Sequence, residues 1–260
     1  MSEAYLGIDL GTSELKVAIL EENGTIAVAA GESYSPSRPQ HGWSEQDPES
    51  WWLALDRVMF KLMASNPLLM KMVSAIGLSG QMHGAVALDK SLNVLRPAIL
   101  WNDTRSSLEC NELNASGLGL TDLSGNLAMP GFTAPKLMWM AKNEPNLFEK
   151  VHKVLLPKDY LRFCMTGKLA TDFSDASGTL WLDVEKRKWS ENLLTLHPVG
   201  ARQQQLQRGV FALHASRIAR SRSALASTPL DGRALGKGLD GGRLEHHPGI
   251  VRLSKNPAGQ

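Results

Sequence analysis

The residues near the N-terminus that are best suited to phosphate chemistry are Asp9, Gly11, Thr12, Ser13 and Lys16. Apolar runs flank them on both sides, a pattern that predicts a β-hairpin with a short polar tip. Gly11 can adopt positive φ and lets a ligand approach the backbone. Backbone N–H groups and the two hydroxyls can then face phosphate oxygens. Asp9 would hold Mg²⁺ through water, because Mg²⁺ keeps much of its water shell in proteins. An ordinary hairpin turn containing Asp and Gly is the alternative explanation.

Two further polar clusters follow apolar runs. Residues 73–79 read as a buried strand leading into the sequence Gly-Gln-Met-His-Gly at residues 80–84, which contains Met82 and His83. Residues 98–100 lead into Trp101, Asn102 and Asp103. Polar groups at strand ends commonly form sites in α/β proteins. A loop residue with no ligand is an equal alternative for His83, and Asp103 or Thr104 is expected to cap the next helix.

The remaining elements that position these clusters are predicted from hydrophobic periodicity and turn residues. Asp47 is expected to cap an amphipathic helix over residues 49–65, with its tryptophans in the core. The other predicted strands are residues 25–30, 85–88 and 151–156. One further helix is predicted to run through Glu109 and Leu113, and another to begin at residues 136–140. Two more are predicted at residues 143–150 and from residues 158–163 onward, and the second of these is expected to end at Gly167.

Composition separates the chain into two unequal parts. Residues 1–197 carry 18 Lys and Arg against 23 Asp and Glu, whereas residues 198–260 carry 10 against 3. Only Phe211 among the 16 aromatic residues lies in the second part. A basic arm that binds nucleic acid is one explanation of residues 201–222, but no aromatic residues suited to base stacking accompany it. We therefore expect no nucleic-acid partner.

The two cysteines, Cys110 and Cys164, have no metal-binding or redox spacing and indicate a reducing, cytoplasmic location. No apolar run is long enough for a membrane span, so no membrane partner is expected.

Taken together, these stretches resemble the N-terminal lobe of the FGGY carbohydrate kinases. The resemblance covers about residues 4–197 and includes residues 131–143, which are similar to a family signature. The Met82–His83 pair is similar to the xylulose-type members and differs from the Arg-Glu of the glycerol-type members. The other matching stretches are residues 7–13, 43–48, 80–84, 96–103, 125–127, 130–137, 155–161 and 179–184.

The resemblance implies an α/β lobe of the actin-like, ribonuclease-H-like fold, with a mixed sheet and flanking helices. It implies ATP and Mg²⁺ as cofactors and D-xylulose or a related ketose as substrate. It places Asp9 at the metal–phosphate site, with Gly11, Thr12, Ser13 and Lys16 beside the transferring phosphate. It places Met82 and His83 in the sugar pocket, with Trp101, Asn102 and Asp103 close by. A homodimer of the parent enzyme stays an open alternative.

One departure from the family pattern limits these expectations. The general-base Asp and the adenine pocket of the family belong to a second lobe, and the resemblance stops near His197. Asp231 and Asp240 lack the family context, so the base is not assigned to them. Residues 198–260 are expected to be disordered or to derive from a frameshift. A catalytically impaired kinase lobe, a non-catalytic sugar- or phosphate-binding fragment and an actin-like nucleotide-binding protein are the functions left open.

Overall fold

The fold is known from a computed structural model, which describes residues 3–117 and 119–195 together with the short strands at 212–213, 246–247 and 250–252. The strands are β1 (Ala4–Leu10), β2 (Glu14–Glu21), β3 (Ile26–Ser33), β4 (Glu45–Gln46), β5 (Val73–Gly80), β6 (Val86–Leu88), β7 (Ala98–Ile99), β8 (Lys153–Leu155), β9 (Ala170–Thr171), β10 (Leu182–Asp183), β11 (Lys188–Trp189), β12 (Ala212–Leu213), β13 (His246–His247) and β14 (Ile250–Arg252). The helices are α1 (Pro48–Ser65), α2 (Pro67–Met72), α3 (Ser107–Ala115), α4 (Leu120–Ser124), α5 (Thr133–Asn143), α6 (Pro145–Phe148), α7 (Pro157–Thr166), α8 (Phe173–Ser177) and α9 (Glu191–Thr195).

The largest sheet has six strands in the order β13-β14-β5-β1-β2-β3. β1 pairs antiparallel with β2 and parallel with β5, so the sheet is mixed. The parallel pairing requires a crossover, which α1 and α2 provide between β3 and β5. The ends of β1 and β5 therefore lie side by side, and both predicted polar loops begin at this edge.

The core beneath this sheet follows from strand alternation. Leu6, Ile8 and Leu10 of β1 are buried, whereas Tyr5 and Asp9, at alternate positions, are exposed. The buried side chains pack against α1, where Trp51 is fully buried at helical spacing from Leu55. The opposite face of the sheet thus carries Asp9 and the other cleft residues.

A second buried cluster lies beneath the loops that carry His83 and Trp101. It includes residues from α3, α5, β8 and the turn before β10, among them Leu137, Met138 and Trp181. α5 packs against α3 and α6 within this cluster. The N-terminal end of α5 is consequently fixed, and it lies against the loop that carries His83.

Most predicted elements are present. The opening hairpin, the antiparallel third strand and the strand predicted at residues 73–79 are confirmed, as is α1, where Asp47 accepts a hydrogen bond from the Glu49 amide. Gly167 ends α7, as predicted, and it adopts the left-handed conformation. The predicted helix over residues 143–150 is shorter, because Pro145 starts a single turn that ends at Phe148.

One local prediction, the side-chain cap of the helix after Asp103, was wrong, and one conformation open to Gly11 is not adopted. The residue preceding α3 is Ser106, and neither Asp103 nor Thr104 caps the helix with its side chain, because the Asp103 carboxylate instead binds Arg105 and the Ser44 amide. Positive φ is not used at Gly11. A Cβ there would lie 2.7 Å from the Glu14 carbonyl oxygen, so Gly11 is needed for close backbone packing.

The expectation of disorder in residues 198–260 falls almost entirely outside the described residues. The described backbone in this range comprises only β12, which pairs with β9, and the β13–β14 pair, which borders β5. In the described part of the chain, no helix is both long and apolar enough to cross a membrane.

Candidate functional site

The hairpin tip places two of the predicted phosphate-binding side chains across from each other. Asp9 of β1 pairs in register with Lys16 of β2. Lys16 is exposed, and its ammonium group lies 3.5 Å from the Glu14 carboxylate. The tip is closed by a hydrogen bond from the Gly11 amide to the Glu14 carbonyl. Ser13 is exposed at the tip. This arrangement leaves a cation and a carboxylate at the mouth of the hairpin.

A cleft of about 680 Å³ opens on the face of the sheet that carries Asp9. Its floor consists largely of small residues from β1, β2, β3 and β5, and its charged lining residues are Asp9, Glu14 and Lys16. Met82, His83 and Trp101 do not line it. The charged cleft is therefore distinct from the loops that carry Met82, His83 and Trp101, and the hairpin tip lies between them.

Thr12, at the hairpin tip, connects the tip to the loops that carry Gln81 and Trp101, and we call these contacts the Thr12 junction. Its hydroxyl donates to Gln81 Oε1 at 3.3 Å and accepts from Trp101 Nε1 at 3.0 Å. Its carbonyl accepts from Gln46 Nε2 at 2.6 Å. Gln46 in turn accepts at Oε1 from Gln81 Nε2 and from the buried Trp51 indole. The tip is thus hydrogen-bonded to both polar loops.

Tyr34 fixes the other side of the tip. Its hydroxyl donates to the Gly11 carbonyl at 2.6 Å. Burial raises the pKa of Tyr34 well above its ordinary value, and the negative charges of Asp9 and Glu14 raise it further. Tyr34 consequently keeps its proton and remains a donor throughout the physiological pH range.

The second loop starts in register with the hairpin and ends in a constrained histidine. The Gln81 amide donates to the Leu10 carbonyl at 2.7 Å. Met82 is about half exposed at 47%. His83 has a φ of 62°, a conformation that is uncommon for residues other than glycine. Its carbonyl accepts hydrogen bonds from Thr133 Oγ1 and Lys136 Nζ. Such backbone conformations persist where surrounding contacts hold them.

The His83 ring is enclosed on two sides. Phe132 packs edge-on with its centroid 4.6 Å from the imidazole, and a Cβ added to Gly178 would lie 2.1 Å from His83 Nδ1. Burial lowers the pKa of His83 to about 4, and the nearby Lys136 ammonium adds to this, whereas the Gly178 backbone opposes it. The imidazole is therefore neutral at pH 7 and offers one donor and one acceptor nitrogen.

The third loop contributes residues with different surroundings. Trp101 is 44% exposed beside the tip, whereas the Asn102 Oδ1 atom is buried and has no hydrogen-bond partner among the described residues. A buried acceptor without a partner is costly to the folded state. Asp103 is buried and accepts from the Ser44 amide at 2.6 Å and from Arg105. The structure gives Asp103 a structural role, and direct sugar binding by it stays a prediction.

Arg105 extends that buried network. Its guanidinium group lies 2.7 Å from both Asp103 and Glu45 and stacks 3.6 Å from the Trp43 ring centroid. Only 1% of the Arg105 side chain is exposed. Charge and stacking together fix the start of α3 and the Trp101 loop.

Four residues of this site were missed as site residues by the sequence analysis. Gln46 and Gln81 lay within matching stretches, but nothing in their type predicted that they would bind each other. Lys136 and Gly178 act on His83 from distant parts of the chain. A lysine within an otherwise apolar helix was the available signal for Lys136, since buried lysines are rare.

The metal-binding side chains near the hairpin tip suit a metal ion that is bound together with phosphate, and not one that is held by protein side chains alone. Among the described residues, no group of three or more His, Cys, Asp or Glu side chains is arranged to hold a metal ion. Mg²⁺ typically binds one or two carboxylates plus substrate phosphates and water. Asp9, exposed in the cleft beside Lys16, would suit this mode.

Comparisons with known proteins agree with this architecture. The chain is 55% identical over 190 residues to the xylulose kinase of Klebsiella pneumoniae, covering 73% of this chain and 39% of that protein. It is 41% identical over 189 residues to the xylulose kinase of Bacillus subtilis, covering 72% of this chain and 38% of that protein.

Solved structures agree as well. The crystal structure described as a xyloylose kinase from Brucella ovis shares 48% sequence identity with a TM-score of 0.75, covering 77% of this chain and 41% of that one. The xylulose kinase structure from Rhodospirillum rubrum has a TM-score of 0.76 at 24% identity, covering 85% of this chain and 45% of that one, and supports the fold alone.

The match covers only part of each relative. The chain spans about 39% of the length of the first curated relatives. The structural neighbours are sugar kinases of the actin-like fold, and the chain covers their N-terminal lobe. Residues 4–208 match the N-terminal domain of the FGGY family of carbohydrate kinases. The chain therefore belongs to the FGGY family of carbohydrate kinases.

Proposed function

We propose that this chain is the sugar- and phosphate-binding lobe of an ATP-dependent kinase that forms xylulose 5-phosphate from D-xylulose. The observation that carries the proposal is the Thr12 junction, which bonds the hairpin tip to Gln81 and Trp101. A phosphate held at the tip and a sugar held beside His83 would then be neighbours. In-line transfer requires this proximity.

The side chains of the lobe would divide the work as follows. Bound Mg²⁺–ATP supplies the transferable phosphoryl group and much of the charge neutralisation. Asp9 would hold the metal through water. The Lys16 ammonium, the Thr12 and Ser13 hydroxyls and the tip amides, including that of Gly11, would face phosphate oxygens. These contacts orient the nucleotide and favour the charge that develops on transfer.

The sugar would be bound by groups that suit hydroxyls. Neutral His83 offers a donor or acceptor nitrogen, and the Asn102 carbonyl oxygen lacks a partner among the described residues. Met82 and Trp101 present partly exposed apolar surface for the sugar carbons. A ketose has several hydroxyls for the polar groups and C–H groups for the apolar surface, so it matches this combination of side chains. Asp103 would support the loop, and direct contact between its carboxylate and the sugar stays a prediction.

We further propose that these 260 residues alone bind ligands but turn over slowly. Transfer needs a carboxylate to accept the proton of the attacking hydroxyl, and no residue of the chain is assigned to that role. A missing positioned base typically lowers the rate by about 10²–10⁴. In this assignment residues 1–197 form the kinase lobe, and residues 198–260 are a tail that follows it. A cytoplasmic location is part of it, supported by two free cysteines.

The decisive experiment measures binding and turnover on the same protein. Isothermal titration calorimetry should show binding of D-xylulose, weaker binding of glycerol and loss of D-xylulose binding in His83→Gln. His152→Gln, on the loop before β8, is the matched control. A coupled ADP-release assay should show little turnover. Absence of sugar binding by the folded chain would overturn the binding role, and turnover on the order of 1–100 s⁻¹, ordinary for kinases, would overturn the slow-turnover proposal.

A further inference from the structure

Lys136 is the most completely buried cation near the candidate sugar site. It lies in the first turns of α5, and its side chain has no exposed surface. Its ammonium group donates to the His83 carbonyl at 2.9 Å and to the Gly131 carbonyl at 2.7 Å. Burying an ammonium group is expensive, so a lysine retained here must make contacts that repay the cost. Both acceptors lie in loops of the candidate site.

The first acceptor belongs to a strained residue. His83 holds a φ of 62°, which a side chain with a Cβ adopts only under constraint. Thr133 Oγ1 donates to the same carbonyl at 3.1 Å, so α5 grips the His83 peptide with two side chains one turn apart. The two bonds fix the direction of the peptide and hence the direction of the imidazole.

The second acceptor links Lys136 to two more neighbours of the site. Gly131 packs so closely on Trp101 that a Cβ would lie 2.5 Å from the Trp101 carbonyl oxygen. Phe132, the next residue, packs edge-on against the His83 ring. A single ammonium group thus ties the His83 loop to the turn that supports both Trp101 and the imidazole.

We propose that Lys136 is a positioning residue that holds His83 in its left-handed conformation and so shapes the sugar pocket. The inference rests on the proposed function for its sugar-binding consequence, but its effect on His83 can be measured without any sugar. Burial lowers the pKa of Lys136 to about 7, with Arg105 adding to the effect and Asp103 opposing it. The Lys136 side-chain nitrogen can donate both hydrogen bonds whether it is protonated or neutral, because a neutral amine still has two N–H donors.

The test compares the full chain with Lys136→Met, Thr133→Val and Lys142→Met. Lys142 lies on the same helix but pairs with Glu112 at the surface, so it is the matched control. Histidine NMR, assigned with His83→Gln, follows the imidazole titration, while circular dichroism reports the fold. Thr133→Val removes one clamp bond without changing any charge, and it therefore separates loss of position from loss of charge.

We expect the His83 pKa to rise from about 4 toward its ordinary value in Lys136→Met and, to a smaller extent, in Thr133→Val. Lys142→Met should leave it unchanged. D-xylulose affinity should fall about tenfold or more in Lys136→Met, the loss typical of removing a charged hydrogen bond. A folded Lys136→Met with an unchanged His83 pKa would overturn the inference. An unchanged His83 pKa in Thr133→Val would overturn the inference as well, whether or not Lys136→Met folds, because a shift in Lys136→Met alone would reflect only the lost charge. A shifted His83 pKa in a chain whose wild type binds no D-xylulose would support the positioning role and overturn the proposed function instead.

Discussion

Trp101 Nε1 donates a hydrogen bond to Thr12 Oγ1 over 3.0 Å, although the two residues are 89 positions apart in sequence. The bond joins the loop that follows β7 to the tip between β1 and β2. It makes the orientation of an exposed indole dependent on one hydroxyl. Any ligand that moves the tip will therefore change the surroundings of Trp101.

Thr12→Val removes this hydroxyl at nearly constant volume. The Trp101 indole and the Gln81 side chain each lose a partner, so we expect the free energy of unfolding to fall by about 1 kcal/mol. Binding of Mg²⁺–ATP phosphates at the tip should weaken as well. Urea denaturation followed by tryptophan fluorescence measures the first effect, and titration with nucleotide measures the second. Thr25→Val, at the exposed turn before β3, should change neither quantity, and a Thr12→Val protein that matches wild type in both would refute the junction.

Gly178→Ala tests the wall behind the His83 ring. Gly178 has a φ of −73°, so alanine meets no backbone penalty there, but its Cβ would lie 2.1 Å from His83 Nδ1. The ring must move, and we expect D-xylulose affinity to fall at least about tenfold, with an overpacking cost of about 1–3 kcal/mol in stability. Calorimetric titration and thermal unfolding measure the two effects. Ser177→Ala, one residue earlier, is the control, and equal sugar affinity in both variants would contradict the placement of His83.

The sequence was informative wherever local rules decide the outcome. The opening hairpin and the Asp47–Pro48 start of α1 follow from apolar runs around a turn and from helix capping, and both were predicted correctly. The polar stretches at 9–13, 80–84 and 101–103 were identified from residue type and position after apolar runs. Their convergence on Thr12 depends on the parallel pairing of β1 with β5, which the pattern alone did not specify.

Long-range contacts account for what was missed. Asp103 looked like a helix cap because its type and place fit one, but Arg105 and the Ser44 amide compete successfully for its carboxylate. Lys136 and Gly178 act on His83 across 53 and 95 positions of sequence, respectively, and no local pattern encodes such contacts. Sequence reasoning therefore found the loops of the site but not the residues that hold them.

Asp175 should make stability depend on pH. Burial raises its pKa to about 6, against the opposing charge of Lys158, from an ordinary value of 3.8. The folded state then binds this proton more tightly than the unfolded chain. Asp175 therefore contributes stability that is complete below about pH 4 and is lost as the pH rises through about 6. The loss is at most about 3 kcal/mol for a shift of roughly two pH units.

Asp175→Asn removes that titration while keeping the shape of the side chain. We expect the free energy of unfolding, measured by urea denaturation between pH 4 and 7, to fall less steeply with pH in the variant than in wild type. Asp122→Asn, at the exposed start of α4, should retain the wild-type slope. Parallel curves for Asp175→Asn and wild type would show that the carboxyl group is not the titrating group.

Asp103→Asn separates structural support from direct sugar binding. The Asp103 side chain is fully buried against Arg105, so losing its charge leaves the guanidinium partly unpaired and should cost about 3–5 kcal/mol of stability. If Asp103 only supports the Trp101 loop, lowering the temperature until the variant is fully folded should restore most of the D-xylulose affinity. The affinity of His83→Gln should not recover under the same conditions, because this variant lacks the imidazole ring that would contact the sugar. Calorimetry on both variants at two temperatures decides the matter, and a fully folded Asp103→Asn that binds no sugar would identify the carboxylate as a ligand.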